Sequence, residues 1–158
     1  YLFLFGDNVE DRFGIPIYLV IYFVSGFVAA FAQILIDPGS NIPLVGASGA
    51  IAGILGSYLI LYPQARVLAL VPLGYVQRLQ EVPAVIVLGL WFVLQLISGF
   101  GSLGAAEYGG GVAFFAHIGG FIAGVVLTFV FNALTGQPPA SERTAQVEQR
   151  AMRRIGQG

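Results

Sequence analysis

The most constraining feature of this chain is the length of its apolar runs. Ile15–Ile36, Leu44–Tyr62 and Val112–Leu134 each run without an Asp, Glu, Lys or Arg, and each is long enough to cross a bilayer, which takes about 20 residues. Ala84–Ile97 is shorter and completes a crossing with Val82 and Ser98. Tyr1–Phe5 reads as the tail of one more helix. Arg66–Tyr75 is apolar but too short to span, so it reads as an interfacial segment. None of the runs alternates at period two, as barrel strands do over ~10 residues. Only 9% of residues are charged and 57% are hydrophobic, against roughly 25% charged in a soluble domain. The expected fold class is an all-α polytopic membrane protein, and one domain suffices for 158 residues.

The basic residues orient the spans. All seven are arginines: Arg12, Arg66, Arg78, Arg143, Arg150, Arg153 and Arg154. They fall in the first loop, the third loop and the C-terminal tail, which lie on one side of the membrane. The loops Asp37–Pro43 and Gly99–Gly111 contain none. The positive-inside rule then places Arg12 and the tail in the cytoplasm. A net charge of −1 gives no reason to expect a nucleic-acid partner, and the lack of cysteine excludes thiol catalysis. Residues 1–135 read as the transmembrane core. Residues 136–158 read as a polar cytoplasmic tail, a linker with a short surface helix over Thr144–Ile155. The opening at Tyr1, inside an apolar run and with no signal peptide visible, reads as a fragment that begins part-way along a helix.

Polar groups within a span are costly and need a reason. Ser48 lies four residues past Leu44, and His117, the sole histidine, five past Val112. Both spans run inward from the outer face, so both groups sit roughly 6–8 Å below their helix starts. Small residues let helices approach more closely than the usual 8–10 Å. Gly49, Ala52, Gly53 and Gly56 form one seam, with Ser48 at its upper edge. His117, Gly120 and Gly124 share a face. Gly49/Gly53 and Gly120/Gly124 are small-xxx-small pairs of the kind that join helices in lipid. Singly, each feature has a plain structural explanation: a serine bonded to its own backbone, a histidine holding two helices, glycines that only pack. Jointly, matched depth and small surroundings admit a hydroxyl–imidazole pair within ~3 Å.

Three motifs narrow the choice. Gly46-Ala47-Ser48-Gly49-Ala50 resembles the GxSG signature of rhomboid proteases; Ala50 excludes the GxSxG elbow of α/β-hydrolases. Ala116-His117-Ile118-Gly119-Gly120 is similar to the family's Ala-His-x-Gly-Gly element on its last core helix. Gly6–Gly14 resembles the loop after the family's second core helix. The resemblance runs from Tyr1 to about Leu134. It implies a rhomboid-like helical bundle, here lacking the first core helix and most of the second. It also implies a serine endopeptidase that cleaves transmembrane protein substrates with a Ser–His dyad and no third acidic member. Ser48 would be the nucleophile and His117 its base. Backbone groups of Gly46, Ala47, Ser48 and Gly49 would hold the oxyanion, and Gly53, Gly120 and Gly124 would support the helix contact. No cofactor and no metal is implied; the partners are the lipid bilayer and its embedded substrates. The expected location is the plasma (inner) membrane of a prokaryote, with a cytoplasmic tail.

Two departures matter. The family's second-helix His and Asn, which help hold the oxyanion, would fall before Tyr1. The aromatic that some members carry four residues after the serine is Ala52 here, so something else must orient His117. The resemblance also casts Trp91 and Phe92 as part of a lateral gate helix, though ordinary lipid-facing aromatics would read the same way. Gly99–Gly111 suits a mobile cap or a plain connector. Gln33 and Gln95 read as interhelical hydrogen-bonders. An inactive member of the same fold that binds membrane clients is the alternative, with intact Ser48 and His117 counting against it. A transporter or channel would show paired charges or broken helices within the spans, and no acid or arginine lies within any full span.

Overall fold

A computed structural model describes residues 1–39, 43–73, 76–103 and 113–136. A π-helical turn over Leu2–Gly6 leads into α1 (Asp7–Ile36). Then follow α2 (Ser48–Leu61), β1 (Arg66–Leu73), β2 (Val76–Pro83), α3 (Ala84–Ser102) and α4 (Phe114–Thr135). Among the described residues three segments are long and apolar enough to cross a membrane: Leu2–Ile36, Ala84–Ser102 and Phe114–Thr135. The architecture is an all-α membrane bundle with one two-stranded ribbon at its end.

α1 is two helices joined at Gly14, whose φ of 76° and ψ of 161° break the helical path. Only glycine enters that region without a steric cost. The part after the break matches the expected Ile15–Ile36 span. The part before it, expected as a loop, is helical instead. Phe5, Val9 and Phe13 are buried at a four-residue spacing, which gives this segment an apolar stripe to bury. Arg12 is buried. Its guanidinium donates to Asn132 Oδ1 at 2.8 Å and lies 4.9 Å over the Phe13 ring.

α2 corrects the expected Leu44–Tyr62 span. It is helical for only 14 residues, starting at Ser48, and so about 21 Å long against a hydrocarbon core of about 30 Å. Pro43–Ala47 enters as non-helical chain. Gly46, at φ 122°, takes a conformation from which no helix can be propagated. Ser48 is therefore the first helical residue, not one a turn inside a helix. The segment Arg66–Tyr75, read as interfacial, lies largely in the antiparallel pair of β1 and β2. The register runs from Arg66↔Pro83 to Leu73↔Val76. Val- and Leu-rich sequence on either side of Gly74 favours extended chain over helix. An Arg66–Glu81 ion pair at 3.8 Å crosses the ribbon, but both side chains are about two-thirds exposed, so it contributes little.

α2 and α4 are parallel and in backbone contact. A Cβ on Gly120 would run into the Gly49 carbonyl, one on Gly124 into that of Gly53, and one on Gly56 into that of Phe121. The buried Ser57 hydroxyl joins the two helices, lying 3.0 Å from the Gly53 carbonyl and 3.2 Å from that of Gly124. α1 runs antiparallel to both, placing Ala29 and Ser25 against Gly49 and Gly53. α3 runs antiparallel to α4 and meets it through Trp91, Phe92 and Gln95. These directions bring the first turns of α2 and α4 to one end of the bundle. Arg12, the ribbon and the last turn of α4 lie at the other. Most of the Gly99–Gly111 connector, and the whole tail after Gly136, lie outside the described residues.

Candidate active site

Ser48 is exposed at the first position of α2. His117 is half-buried at the fourth position of α4, its amide bonded to the Ala113 carbonyl at 3.2 Å. The glycine contact between α2 and α4 lets the two side chains meet: His117 Nε2 lies 2.8 Å from Ser48 Oγ. The other ring nitrogen, Nδ1, is 2.8 Å from Gln95 Oε1 on α3. Trp91, one turn earlier on α3, holds its ring 5.9 Å from the imidazole at 36°. Trp91 in turn packs on Phe121, which stacks on Phe92 at 4.5 Å. α2, α3 and α4 contain no charged residue, so the imidazole is flanked by neutral groups of these helices.

The start of α2 also supplies backbone donors. Its first helical bond runs from the Ile51 amide to the Ala47 carbonyl at 3.0 Å. The amides of Ser48, Gly49 and Ala50 precede that ladder and have no intrahelical acceptor. Gly46 turns the chain just before them, and an added Cβ there would lie 3.9 Å from Ser48 Oγ. Gln33 of α1 does for α4 what no local cap does: its Oε1 accepts from the Ala116 amide at 3.3 Å, one residue before His117. Among the described residues no group of three or more His, Cys, Asp or Glu is placed to hold a metal ion.

A Rhomboid domain match covers residues 1–133. The chain belongs to the rhomboid family. No curated protein and no solved structure matches it. Family membership and three apolar helices of spanning length make this rhomboid protein an integral membrane protein.

Of the residues singled out from sequence, the rhomboid bundle brings Ser48 and His117 into hydrogen-bond contact. It sets Gly46, Ala47 and Gly49 around the serine backbone, and it places Gly53, Gly120 and Gly124 in the α2–α4 seam below. Gln95 belongs beside them, although its sequence reading stopped at interhelical bonding. The available signal was its depth. It is the one amide in the middle of α3, one turn from Trp91, and a histidine donating or accepting at Nε2 still has Nδ1 to satisfy.

Gly46 carries a prediction of its own. At φ 122° an L side chain is strained whatever the space, at a cost of about 1–3 kcal/mol. Gly46→Ala is expected to shift the Ser48 backbone and, on the function proposed below, to lower turnover about tenfold or more, the equivalent of about 1.4 kcal/mol. Gly39→Ala, with nothing within 4 Å of the new methyl, is expected to leave it unchanged. Rates of the two variants, measured side by side, check this.

Proposed function

We propose that this rhomboid protein is an intramembrane serine endopeptidase that cleaves transmembrane protein substrates, with Ser48 as nucleophile and His117 as general base. The observation that carries the reading is the 2.8 Å approach of His117 Nε2 to Ser48 Oγ at the open end of an apolar bundle. A serine hydroxyl is a weak nucleophile until an adjacent base takes its proton. His117 accepts that proton as Oγ attacks a peptide carbonyl, then returns it to the leaving amine, and water releases the acyl group. The developing oxyanion is held by backbone N–H groups at the start of α2, within the run Gly46–Gly49, where the helix dipole also favours negative charge. Non-helical chain at membrane depth is tolerated where it lines a water-filled cavity; Pro43–Ala47 is exposed and suits such a cavity, which hydrolysis requires. Gly53, Gly120 and Gly124 act in support, by keeping the two helices in contact.

The testing experiment reconstitutes the full-length protein in vesicles with a model transmembrane substrate and maps the products by mass spectrometry. A cut within or beside the apolar segment is expected. Substrate capture by folded protein with no cut would instead mean an inactive client-binding member.

We also place the Arg12 end and the tail in the cytoplasm, on the one-sided distribution of arginine. The 158 residues contain no cysteine, so none within them competes with an introduced thiol. In intact cells Ser102→Cys is expected to react with an impermeant maleimide and Gln64→Cys is not; the reverse pattern would invert the topology.

A further inference from the structure

We propose, on the basis of the Ser48–His117 pairing above, that Gln95 is the positioning residue of the site: its amide oxygen fixes His117 in the tautomer that carries its proton on Nδ1. A neutral imidazole has one N–H and one lone pair, and the partner of one nitrogen decides the state of the other. For Ser48 to donate into Nε2, the ring proton must be on Nδ1 and must have an acceptor. Gln95 Oε1, 2.8 Å away, is that acceptor. An amide nitrogen in the same place would donate instead. It would drive the ring proton to Nε2, and His117 would then have no lone pair for the serine.

The ring plane is held from the same helix. Trp91 and Gln95 are four residues apart and so share a face of α3; one meets the imidazole through its ring, the other through its amide. No second aromatic comes from α2, where the position four past Ser48 is Ala52. When the Oγ proton moves to Nε2, the ring becomes an imidazolium with both nitrogens protonated, and Nδ1–H stays donated to Gln95. Being neutral, the amide orients the ring without adding a counter-charge. The elements around His117 leave that difference visible: α2, α3 and α4 carry no charge. Of the charged groups on α1, Asp7, Glu10, Asp11 and Arg12 lie toward the opposite end; Asp37, which caps α1 at the site end, is exposed and is present in every variant compared.

The test measures kcat and KM against pH for full-length wild type, Gln95→Leu and Gln95→Glu, with thermal unfolding of each. Gln95→Leu removes the acceptor at similar volume. It is expected to lower kcat about 10²-fold, the low end of what general-base catalysis contributes, with KM unchanged. The acidic limb of the rate profile should move to lower pH, because the imidazolium loses an acceptor. Gln95→Glu is expected to keep kcat within about tenfold of wild type and to move that limb to higher pH, because an adjacent carboxylate favours the imidazolium. A purely structural role would lower activity with stability and leave the limb in place. Wild-type kcat and limb in Gln95→Leu, or equal losses in both variants with no limb shift, would overturn the inference. If Gln95→Leu does not fold, the imidazole ¹⁵N signals of wild type, assigned by their loss in His117→Ala, decide it: a proton on Nδ1 is expected, and one on Nε2 overturns it. Ser48→Ala in the same assay separates the two levels. Cleavage that survives Ser48→Ala removes the dyad itself; an inactive Ser48→Ala beside an unaffected Gln95→Leu removes only the role of Gln95.

Discussion

Ser48→Ala is expected to abolish cleavage while leaving fold and expression intact, His117→Ala to do nearly the same, and the double variant to be no worse than either. The reason is the 2.8 Å Oγ–Nε2 contact: the two groups act in one proton transfer, so removing either removes the step. In a well-measured soluble serine protease, loss of the serine, the histidine or the whole set costs about the same, roughly 10⁶-fold in kcat. Additive losses would mean that Ser48 and His117 serve separate functions. The unfolding temperature is expected to hold in Ser48→Ala, because Ser48 is exposed at a helix start and its hydroxyl fills no cavity.

The second large effect concerns the α2–α4 seam. Gly120→Leu and Gly124→Leu are expected to destabilise the bundle by about 3 kcal/mol or more and to remove activity. Overpacking a filled core typically costs 1–3 kcal/mol, and here the obstacle is backbone: the new Cβ would meet the carbonyl of Gly49 or of Gly53. No rotamer relieves a carbonyl, so the helices must part, and Ser48 then moves away from His117. Gly89→Ala on α3, with nothing within 4 Å, is the control. It is expected to be neutral or to stabilise by up to about 1 kcal/mol through helix propensity. Thermal unfolding in detergent compares the three. Wild-type stability in Gly124→Leu would show that α2 and α4 are not in backbone contact there.

Much of this arrangement was legible in the sequence because a membrane leaves few options. Three apolar runs had to be helices, and small residues at Gly49, Gly53, Gly120 and Gly124 could bring two of them close enough for Ser48 to reach His117. The misreadings share a physical origin: they lie where the local pattern underdetermines the backbone. Gly6–Gly14 looked like a loop because it is polar, yet Phe5, Val9 and Phe13 bury one face of it as helix. Leu44–Tyr62 looked like one span because hydropathy does not register that Gly46 at positive φ ends the extended entrance and lets α2 begin at Ser48. Arg66–Tyr75 was short and apolar, a pattern that fits a strand as well as an interfacial stretch, and its strand partner lay in the next residues. Gln95 was legible as a polar group needing a partner; that the partner is Nδ1 of His117 depends on how α3 leans against α4, which a single sequence does not encode in any local pattern.

The most direct test is covalent. A fluorophosphonate reacts with a serine only where a base activates its hydroxyl. Folded full-length protein is expected to take up one label, mapped by mass spectrometry to Ser48, with none in Ser48→Ala and a collapse of labelling in His117→Ala. Labelling at Ser48 that persists undiminished in His117→Ala, or no label on folded wild-type protein, would contradict the account.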